Sequence, residues 1–310
     1  MGTAARVQVE AWCLSALGTG TLVEVNSEAG GQMSHLFRFD SDERGPCAVK
    51  VRRESWERIS RCLQLQTLAA DAGFACARPM TSVGQLGPGI VVSGESWRPG
   101  GEMHEDGYAG FADRSASLLA ALTAILELES PEGLGTPPPW MHWNPPTGSL
   151  WPPNPVVHGM DQDLVPAHVN AIARAASERL AATSLPLVVG HGDWESQNLR
   201  WKSDTPWAVH DWDSLVALPA AAIVGAASGA FTSTAVPTLA SVEASEEFIH
   251  CYERARGKAF TSEEREIAWA ASLWPALHNA RGESLYQSPP TALLALTSQA
   301  PERLRRAGLR

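Results

Sequence analysis

Residues 185–215 read LPLVVGHGDWESQNLRWKSDTPWAVHDWDSL, and this stretch decides the fold of the chain. Two short apolar runs within it, 187–189 and 207–209, have the length and composition of buried strands. The first run is followed by HGD and the second by HDWD. Because loops at strand ends commonly carry functional side chains, we expect chemistry after both strands.

Asp193, Asn198 and Asp211 bring two carboxylates and an amide to these loops. In phosphoryl transfer from a nucleotide, one carboxylate accepts the proton of the attacking hydroxyl, while an amide oxygen and a second carboxylate hold Mg²⁺. The spacing matches the protein-kinase loop H-R-D-x-x-x-x-N and the following D-F-G, with Gly192 replacing the arginine and Trp212 the phenylalanine. We therefore expect Asp193 to be the catalytic base and Asn198 and Asp211 to be Mg²⁺ ligands.

With HGD and DWD as its motifs, the chain resembles the aminoglycoside phosphotransferase and choline-kinase-like family of small-molecule kinases. The resemblance extends from about residue 23 to about residue 283. It implies an α+β, two-lobed protein-kinase-like fold. A small N-terminal antiparallel-sheet lobe, residues 1–97, would bind the nucleotide, and a larger, mainly helical C-terminal lobe, residues 98–310, would carry the catalytic and substrate-binding groups.

The resemblance also implies the reaction. A transferase of this kind is a kinase that takes the γ-phosphoryl group of ATP or GTP, with Mg²⁺ as cofactor, and passes it to a hydroxyl of a small molecule. Aminoglycosides and amino sugars are the best-known acceptors of the family.

Two features of the first lobe would then bind the nucleotide. Residues 47–51, CAVKV, are close to the kinase V-A-I-K strand, so Lys50 would bind the α- and β-phosphates. Gly30 and Gly31 lie in the loop before the second strand, where backbone N–H groups can approach phosphates. The alternative for Lys50 is an outward-facing lysine of an edge strand. The alternative for Gly30 and Gly31 is an ordinary hairpin turn.

The acidic partner of Lys50 is left open by the sequence. Residues 54–72 have the apolar spacing of a helix, and kinases take the partner glutamate from this helix. Here Glu57 lies on the first turn, while Gln64 and Gln66 occupy the region where the acid is expected. Either Glu57 reaches Lys50 or a glutamine makes a weaker, neutral contact.

The apolar run at residues 90–92 is followed by SGESW. The resemblance makes this segment the hinge, where backbone groups of Ser93 and Glu95 would meet the adenine edge.

Three sets of residues are candidates for the acceptor site. Residues 131–155 combine many prolines with Trp140, Trp143 and Trp151, which excludes regular structure. These tryptophans either form a rigid wall that stacks on a ring or a cation, or they pack on the large lobe for stability. Glu195 lies between the base and the metal ligand.

His278 and Glu283 lie on or near a C-terminal helix, and such helices often supply substrate groups in this family. The alternative for both is a solvated helix cap. The helix before them is predicted by the capping box TSEE at residues 261–264.

Net charge, apolar runs and cysteine content limit the kinds of partner and the cellular location that we expect for this protein. The formal net charge of −10 argues against a nucleic-acid binder and suits a cationic small acceptor. No apolar run is long enough to span a bilayer, and the N-terminus lacks the pattern of a signal peptide. The five scattered cysteines indicate buried thiols of a cytoplasmic protein.

Other classes of protein account for fewer of these sequence features. A nucleotide-binding pseudokinase of the same fold is the main alternative, but the complete set of Asp193, Asn198 and Asp211 weighs against it. A protein kinase would need an A-P-E motif and an activation loop. A metal hydrolase built on His191, Asp193, His210 and Asp211 leaves Lys50 without a role.

Overall fold

The computed structural model describes residues 3–25, 34–105, 107–145, 148–154, 156–157 and 159–309. Gly30 and Gly31 therefore lie outside the described residues. The chain forms two compact units. The N-terminal unit consists of Met1–Gly101, Glu132–Gly135 and Trp207–Asp213, and the C-terminal unit consists of Glu102–Pro131, Thr136–Pro206 and Ser214–Arg310.

The N-terminal unit is built on one five-stranded antiparallel sheet. Its strands are β1 (Gly20–Glu24), β2 (Ser34–Ser41), β3 (Gly45–Arg53), β4 (Gly84–Gly87) and β5 (Ile90–Ser96). They pair in the order β1-β2-β3-β5-β4, so β3 lies in the centre of the sheet. The two helices of this unit are α1 (Thr3–Leu17) and α2 (Trp56–Asp71). This antiparallel sheet confirms the expected architecture of the N-terminal part.

Both helices bury an apolar face against the sheet. Helix α1 contributes Val9, Cys13 and Leu17 to a core shared with β2, β3 and β5. Helix α2 buries Ile59 and Leu63 in a second cluster. The helix predicted over 54–72 is thus confirmed, and the side chain of Ser55 caps it by accepting a hydrogen bond from the Arg58 N–H.

The register of β3 and β5 places four polar side chains on one face of the sheet. Lys50 lies opposite Ser93, and Ala48 lies opposite Glu95. Alternate residues of a strand point to the same face. Lys50 and Arg52 of β3 therefore share that face with Ser93 and Glu95 of β5.

The C-terminal unit is mainly helical, as expected. Its helices are α3 (Phe111–Leu126), α4 (Ala167–Ala181), α5 (Ala220–Ala230), α6 (Val242–Ala255), α7 (Ser262–Ala271), α8 (Trp274–Tyr286) and α9 (Thr291–Arg306). Its strands β6 (Leu187–His191) and β9 (Leu215–Pro219) pair antiparallel. Between them in sequence lie β7 (Leu199–Lys202) and β8 (Thr205–Val209).

Helix α5 is rich in small residues because it packs very close to α7. A Cβ atom at Gly225 would lie 2.0 Å from the Ala268 carbonyl oxygen, and one at Gly229 would lie 2.2 Å from the Ser272 oxygen. Only glycine fits at both positions. The predicted capping box is present at the start of α7, where Thr261 and Glu264 exchange hydrogen bonds.

The proline-rich stretch has little regular structure, as predicted. Among its described residues only Pro139–Met141 form a helical turn, of the 3-10 type. All five cysteines are free and buried. Burial raises the pKa of Cys62 to about 12, which keeps this thiol protonated. None of the helices in the described part of the chain is long and apolar enough to cross a membrane.

Candidate active site

The HGD loop follows β6 in the C-terminal unit and carries Asp193 and Asn198 in direct contact. The Asn198 amide nitrogen donates hydrogen bonds to the Asp193 carboxylate oxygen Oδ2 at 2.8 Å and to its backbone carbonyl at 3.0 Å. Both bonds use the nitrogen of the amide, so its oxygen is the atom suited to a cation. The spacing of five residues thus brings the Asp193 carboxylate and the Asn198 amide together.

His191 is buried beneath this loop. Its Nδ1 accepts a hydrogen bond from the Asp193 backbone N–H at 3.2 Å, and its ring lies 5.5 Å from that of Trp194. The indole of Trp194 in turn donates to the Ser115 hydroxyl of α3 at 3.0 Å. These contacts give His191 a structural role beneath the loop.

Gly192 occupies the position that is arginine in protein kinases because there is no room for a side chain. Its N–H donates to the Ser214 carbonyl at 2.8 Å. A Cβ atom here would lie 2.9 Å from that same oxygen and 2.8 Å from a methyl carbon of Val216. The pairing of β6 with β9 creates this restriction, which the sequence did not reveal.

Asp211, in the N-terminal unit, adopts a left-handed backbone conformation with φ of 59°. Aspartate enters this region more readily than most residues, but it is still an uncommon conformation. The next residue, Trp212, is buried, and its indole donates to the Val209 carbonyl at 3.0 Å. Its ring meets Phe74 edge-on at 6.1 Å. The turn that carries Asp211 is therefore anchored in the core.

Asp213, the second carboxylate of DWD, is bound by two arginines. Its Oδ2 pairs with Nε of Arg52, and its backbone carbonyl accepts a bond from Arg58 at 2.9 Å. Burial alone would raise the pKa of Asp213, but Arg52 and Lys50 outweigh burial and lower it. Arg52 and Asp213 thus form a partly buried ion pair.

The partner of Lys50 is Glu95 on the neighbouring strand. Lys50 Nζ lies 3.0 Å from Glu95 Oε1, and their side chains are only 14% and 8% exposed. Burial alone would lower the pKa of Lys50, but Glu95 and Asp213 outweigh burial and raise it, so the lysine stays charged. The partner is therefore neither Glu57 nor a glutamine of α2, because the pairing of β3 with β5 places the Glu95 carboxylate next to Lys50.

Helix α2 contributes to the pair through Gln66. The Gln66 amide donates to Glu95 Oε2 at 2.9 Å and to the Ala77 carbonyl at 2.8 Å. It thus holds the glutamate, not the lysine. Glu57 has an exposed side chain on the first turn of α2.

The segment expected to meet adenine is already paired within the sheet. The Gly94 carbonyl accepts from the Met80 N–H at 2.8 Å, and the Ser96 N–H donates to the Arg78 carbonyl at 2.8 Å. The Ser93 hydroxyl accepts from Arg52 at 2.9 Å. The side chains of Ser93 and Glu95 thus contact Arg52 and Lys50, and the contact of their backbone groups with adenine stays a prediction.

Trp140 and His278 lie together beside the HGD loop. The indole of Trp140 donates to the Gly192 carbonyl at 3.1 Å, immediately before Asp193. The His278 ring meets Trp140 at 6.3 Å. Burial, and then the charge of Arg281, lower the pKa of His278 to about 4, so this imidazole is neutral at pH 7.

The other acceptor candidates are engaged inside the protein. Trp143 is buried and packs edge-on against Trp274 at 6.3 Å, which is the stabilising alternative. Glu195 is buried and accepts from Gln197 at 2.5 Å. Glu283 accepts from the N–H groups of residues 292 and 293 at 2.7 and 2.9 Å, and so caps the start of α9. These contacts commit all three side chains to the fold.

The antiparallel sheet with its buried lysine, the helical unit and the HGD loop define a kinase-like phosphotransferase. The model of the phosphotransferase enzyme family (APH) matches residues 27–260. The chain belongs to this family and is a kinase-type enzyme, as the motifs indicated.

Solved structures with this fold are known at low sequence identity. The amicoumacin kinase hAmiN, in complex with AMP-PNP, Ca²⁺ and Ami, is 10% identical with a TM-score of 0.65, over 99% of this chain and 96% of that one. A choline/ethanolamine kinase family protein from Mesorhizobium loti is 18% identical with a TM-score of 0.51, over 98% and 92%.

A thermostable variant of the aminoglycoside phosphotransferase APH(4)-Ia, in ternary complex with AMP-PNP and hygromycin B, is 13% identical with a TM-score of 0.58, over 96% and 98%. No curated protein matches the chain by sequence. Identities this low establish the fold alone.

Proposed function

We propose that this protein transfers the γ-phosphoryl group of a Mg²⁺-bound nucleotide, ATP or GTP, to a hydroxyl of a small molecule. The observation that carries the proposal is the 2.8 Å hydrogen bond between Asn198 and the Asp193 carboxylate, directly after the buried His191. AMP-PNP complexes of the amicoumacin kinase and of the aminoglycoside phosphotransferase APH(4)-Ia, the former with Ca²⁺, support a nucleotide and a divalent cation.

In this mechanism Asp193 accepts the proton of the acceptor hydroxyl. Asn198 fixes the direction of that carboxylate through its amide nitrogen, and its amide oxygen is suited to Mg²⁺. The Asp211 carboxylate is likewise a suitable Mg²⁺ ligand. The donor types fit the ion, because Mg²⁺ prefers carboxylate and amide oxygens. When bound, Mg²⁺ supplies charge neutralisation at the phosphates.

Lys50 would bind the nucleotide phosphates with a charge that Glu95 maintains. By resemblance, Gly30 and Gly31 would add backbone N–H groups. Most of the catalytic effect then comes from positioning and charge neutralisation, since the transferred group is metaphosphate-like. The cytoplasm provides the nucleotide, so we place the reaction there.

Glu95→Gln should raise the KM for nucleotide by about 10-fold with a smaller effect on kcat, because a charged hydrogen-bond partner of Lys50 is lost. Initial rates at varied nucleotide concentration give the two constants. Glu57→Gln on α2 is the matched control and should leave both unchanged, since Glu57 is exposed. A larger rise in KM for Glu57→Gln than for Glu95→Gln would assign the supporting role to the helix.

We further propose that the acceptor binds beside Trp140. This ring is half-buried and bonded to the residue before Asp193, so its face can stack on a sugar ring or a cation. The net charge of −10 favours a cationic acceptor such as an aminoglycoside or amino sugar. His278 adds a neutral imidazole that can form a hydrogen bond.

The test is consumption of Mg-ATP and Mg-GTP across aminoglycosides, amino sugars, amino alcohols and macrolides. We expect one acceptor class to give turnover, and Asp193→Asn to abolish it. Trp140→Phe should raise the KM of that acceptor and leave the KM of the nucleotide unchanged. Nucleotide binding without turnover on any acceptor would instead favour a pseudokinase, and absence of nucleotide binding would overturn the proposal.

A further inference from the structure

The turn formed by Asp211, Trp212 and Asp213 is held at three points within the N-terminal unit. The Trp212 ring is buried against Phe74. The Asp213 carboxylate pairs with Arg52 of β3, and its backbone carbonyl accepts from Arg58 of α2. The side-chain and main-chain atoms on one side of Asp211 are therefore fixed.

Both arginines are themselves held firmly. Arg52 and Arg58 are each 6% exposed. Arg52 also donates to the Ser93 hydroxyl at 2.9 Å and to the Lys50 carbonyl at 3.2 Å, which ties it to β5 and β3. Arg58 also donates to the Leu134 carbonyl. Planar guanidinium groups with several fixed acceptors impose direction as well as charge.

A partly buried ion pair is a costly way to stabilise a fold. Removing two charges from water often cancels the attraction between them, so such pairs are better explained by the geometry they specify. Asp213 is not needed to solve a packing problem here, since its side chain is 22% exposed. What the pair does specify is the position of the chain two residues after Asp211.

Asp211 is the residue that needs such support. Its φ of 59° is a sparsely populated conformation, which persists where the surroundings over-determine it. Trp212 and Asp213 supply constraints on one side. On the other, the Val209 N–H donates to the Ala75 carbonyl at 2.7 Å. Asp211 lies between two fixed segments.

We propose that Arg52 and Asp213 are positioning residues, which hold the carboxylate of Asp211 in the orientation that binds the divalent cation. This inference rests on the proposed role of Asp211 as a metal ligand. The Oδ2 atom of Asp213 is engaged by Arg52, so this oxygen serves the ion pair. Groups that orient a metal ligand commonly change metal affinity by 10- to 100-fold when they are removed.

The test measures Mn²⁺ binding to the full chain in the presence of AMP-PNP by electron paramagnetic resonance, without turnover. Asp213→Asn and Arg52→Met should each raise the dissociation constant of Mn²⁺ by about 10-fold. The double variant should be no worse than either single one, because the two residues act as a pair. Arg52→Lys keeps the charge but loses the planar fork, and it should give an intermediate value.

Glu253→Gln is the matched control. Glu253 is 5% exposed and pairs with Arg265 at 2.6 Å, so its loss removes a comparable partly buried ion pair far along the chain from Asp211. It should lower the unfolding temperature and leave Mn²⁺ affinity unchanged. Circular dichroism identifies variants that fail to fold, for which Arg52→Lys provides the milder substitution.

The outcomes separate the inference from the proposed function. Weaker Mn²⁺ binding in Asp211→Asn, Asp213→Asn and Arg52→Met supports both. Weaker binding in Asp211→Asn alone, with the other two equal to the Glu253→Gln control, overturns the positioning role and leaves the metal ligand. Unchanged binding in Asp211→Asn overturns both.

Discussion

Asp193→Asn should lower kcat by about 10²- to 10⁴-fold, the range over which general-base catalysis contributes. The amide has nearly the shape of the carboxylate and can still meet Asn198, but it cannot accept the proton of the acceptor hydroxyl. Nucleotide affinity should stay close to that of the wild type, because the nucleotide contacts are assigned to other side chains. Steady-state rates and nucleotide titration check the two expectations.

Asp204→Asn is the control for this substitution. Asp204 lies eleven residues further along the chain, and its side chain is 69% exposed beside Arg114. Removing its charge should change kcat by less than about 2-fold, since exposed ion pairs contribute little. Equal activity in Asp193→Asn and the wild type would remove Asp193 from the chemical step.

Arg303→Ala should lower the free energy of unfolding of the C-terminal unit by about 3–5 kcal/mol, because it leaves a cavity and several buried acceptors without a donor. Arg303 is fully buried in α9. It donates to the Ser272 hydroxyl at 2.8 Å, the Ser245 hydroxyl at 2.9 Å and the Ala240 carbonyl at 2.5 Å. One guanidinium thus joins the last helix to three other segments.

Urea unfolding followed by tryptophan fluorescence measures this loss, with Arg305→Ala as the matched control. Arg305 lies two residues away on α9, its side chain is 69% exposed, and it pairs with Glu302 of the same helix. Its removal should change the free energy of unfolding by less than about 0.5 kcal/mol. A similar loss in the free energy of unfolding in the two variants would contradict the stabilising role of the buried Arg303 hydrogen bonds.

The parts of this structure that depend on local sequence were predictable. The contact between Asn198 and Asp193 follows from five-residue spacing in one loop, and the start of α7 follows from its capping box. Both interactions join residues close in the chain, so the types and spacing of the residues determine them. The family motifs predicted the fold for the same reason, because their residues lie close together in the chain.

The contacts that join distant segments were not predictable in this way. Lys50 lies next to the Glu95 carboxylate because of the register of β3 and β5, and no local sequence pattern predicts that register. Arg52 and Asp213 are 161 positions apart. The only signal for Arg52 was its two-residue spacing from Lys50, which places both on one face of a strand. Pairs of this kind can be identified only from the folded structure.

The pairing of Lys50 within the sheet has a consequence for control of the enzyme. In protein kinases the lysine depends on a glutamate from a mobile helix, and displacement of that helix switches activity off. Here the lysine and Glu95 sit on adjacent hydrogen-bonded strands, while α2 reaches the pair only through Gln66. Movement of α2 would remove the Gln66 hydrogen bond to Glu95 but would not carry the carboxylate of Glu95 away from Lys50. The carboxylate that pairs with the lysine is thus built into the sheet and does not come from a helix.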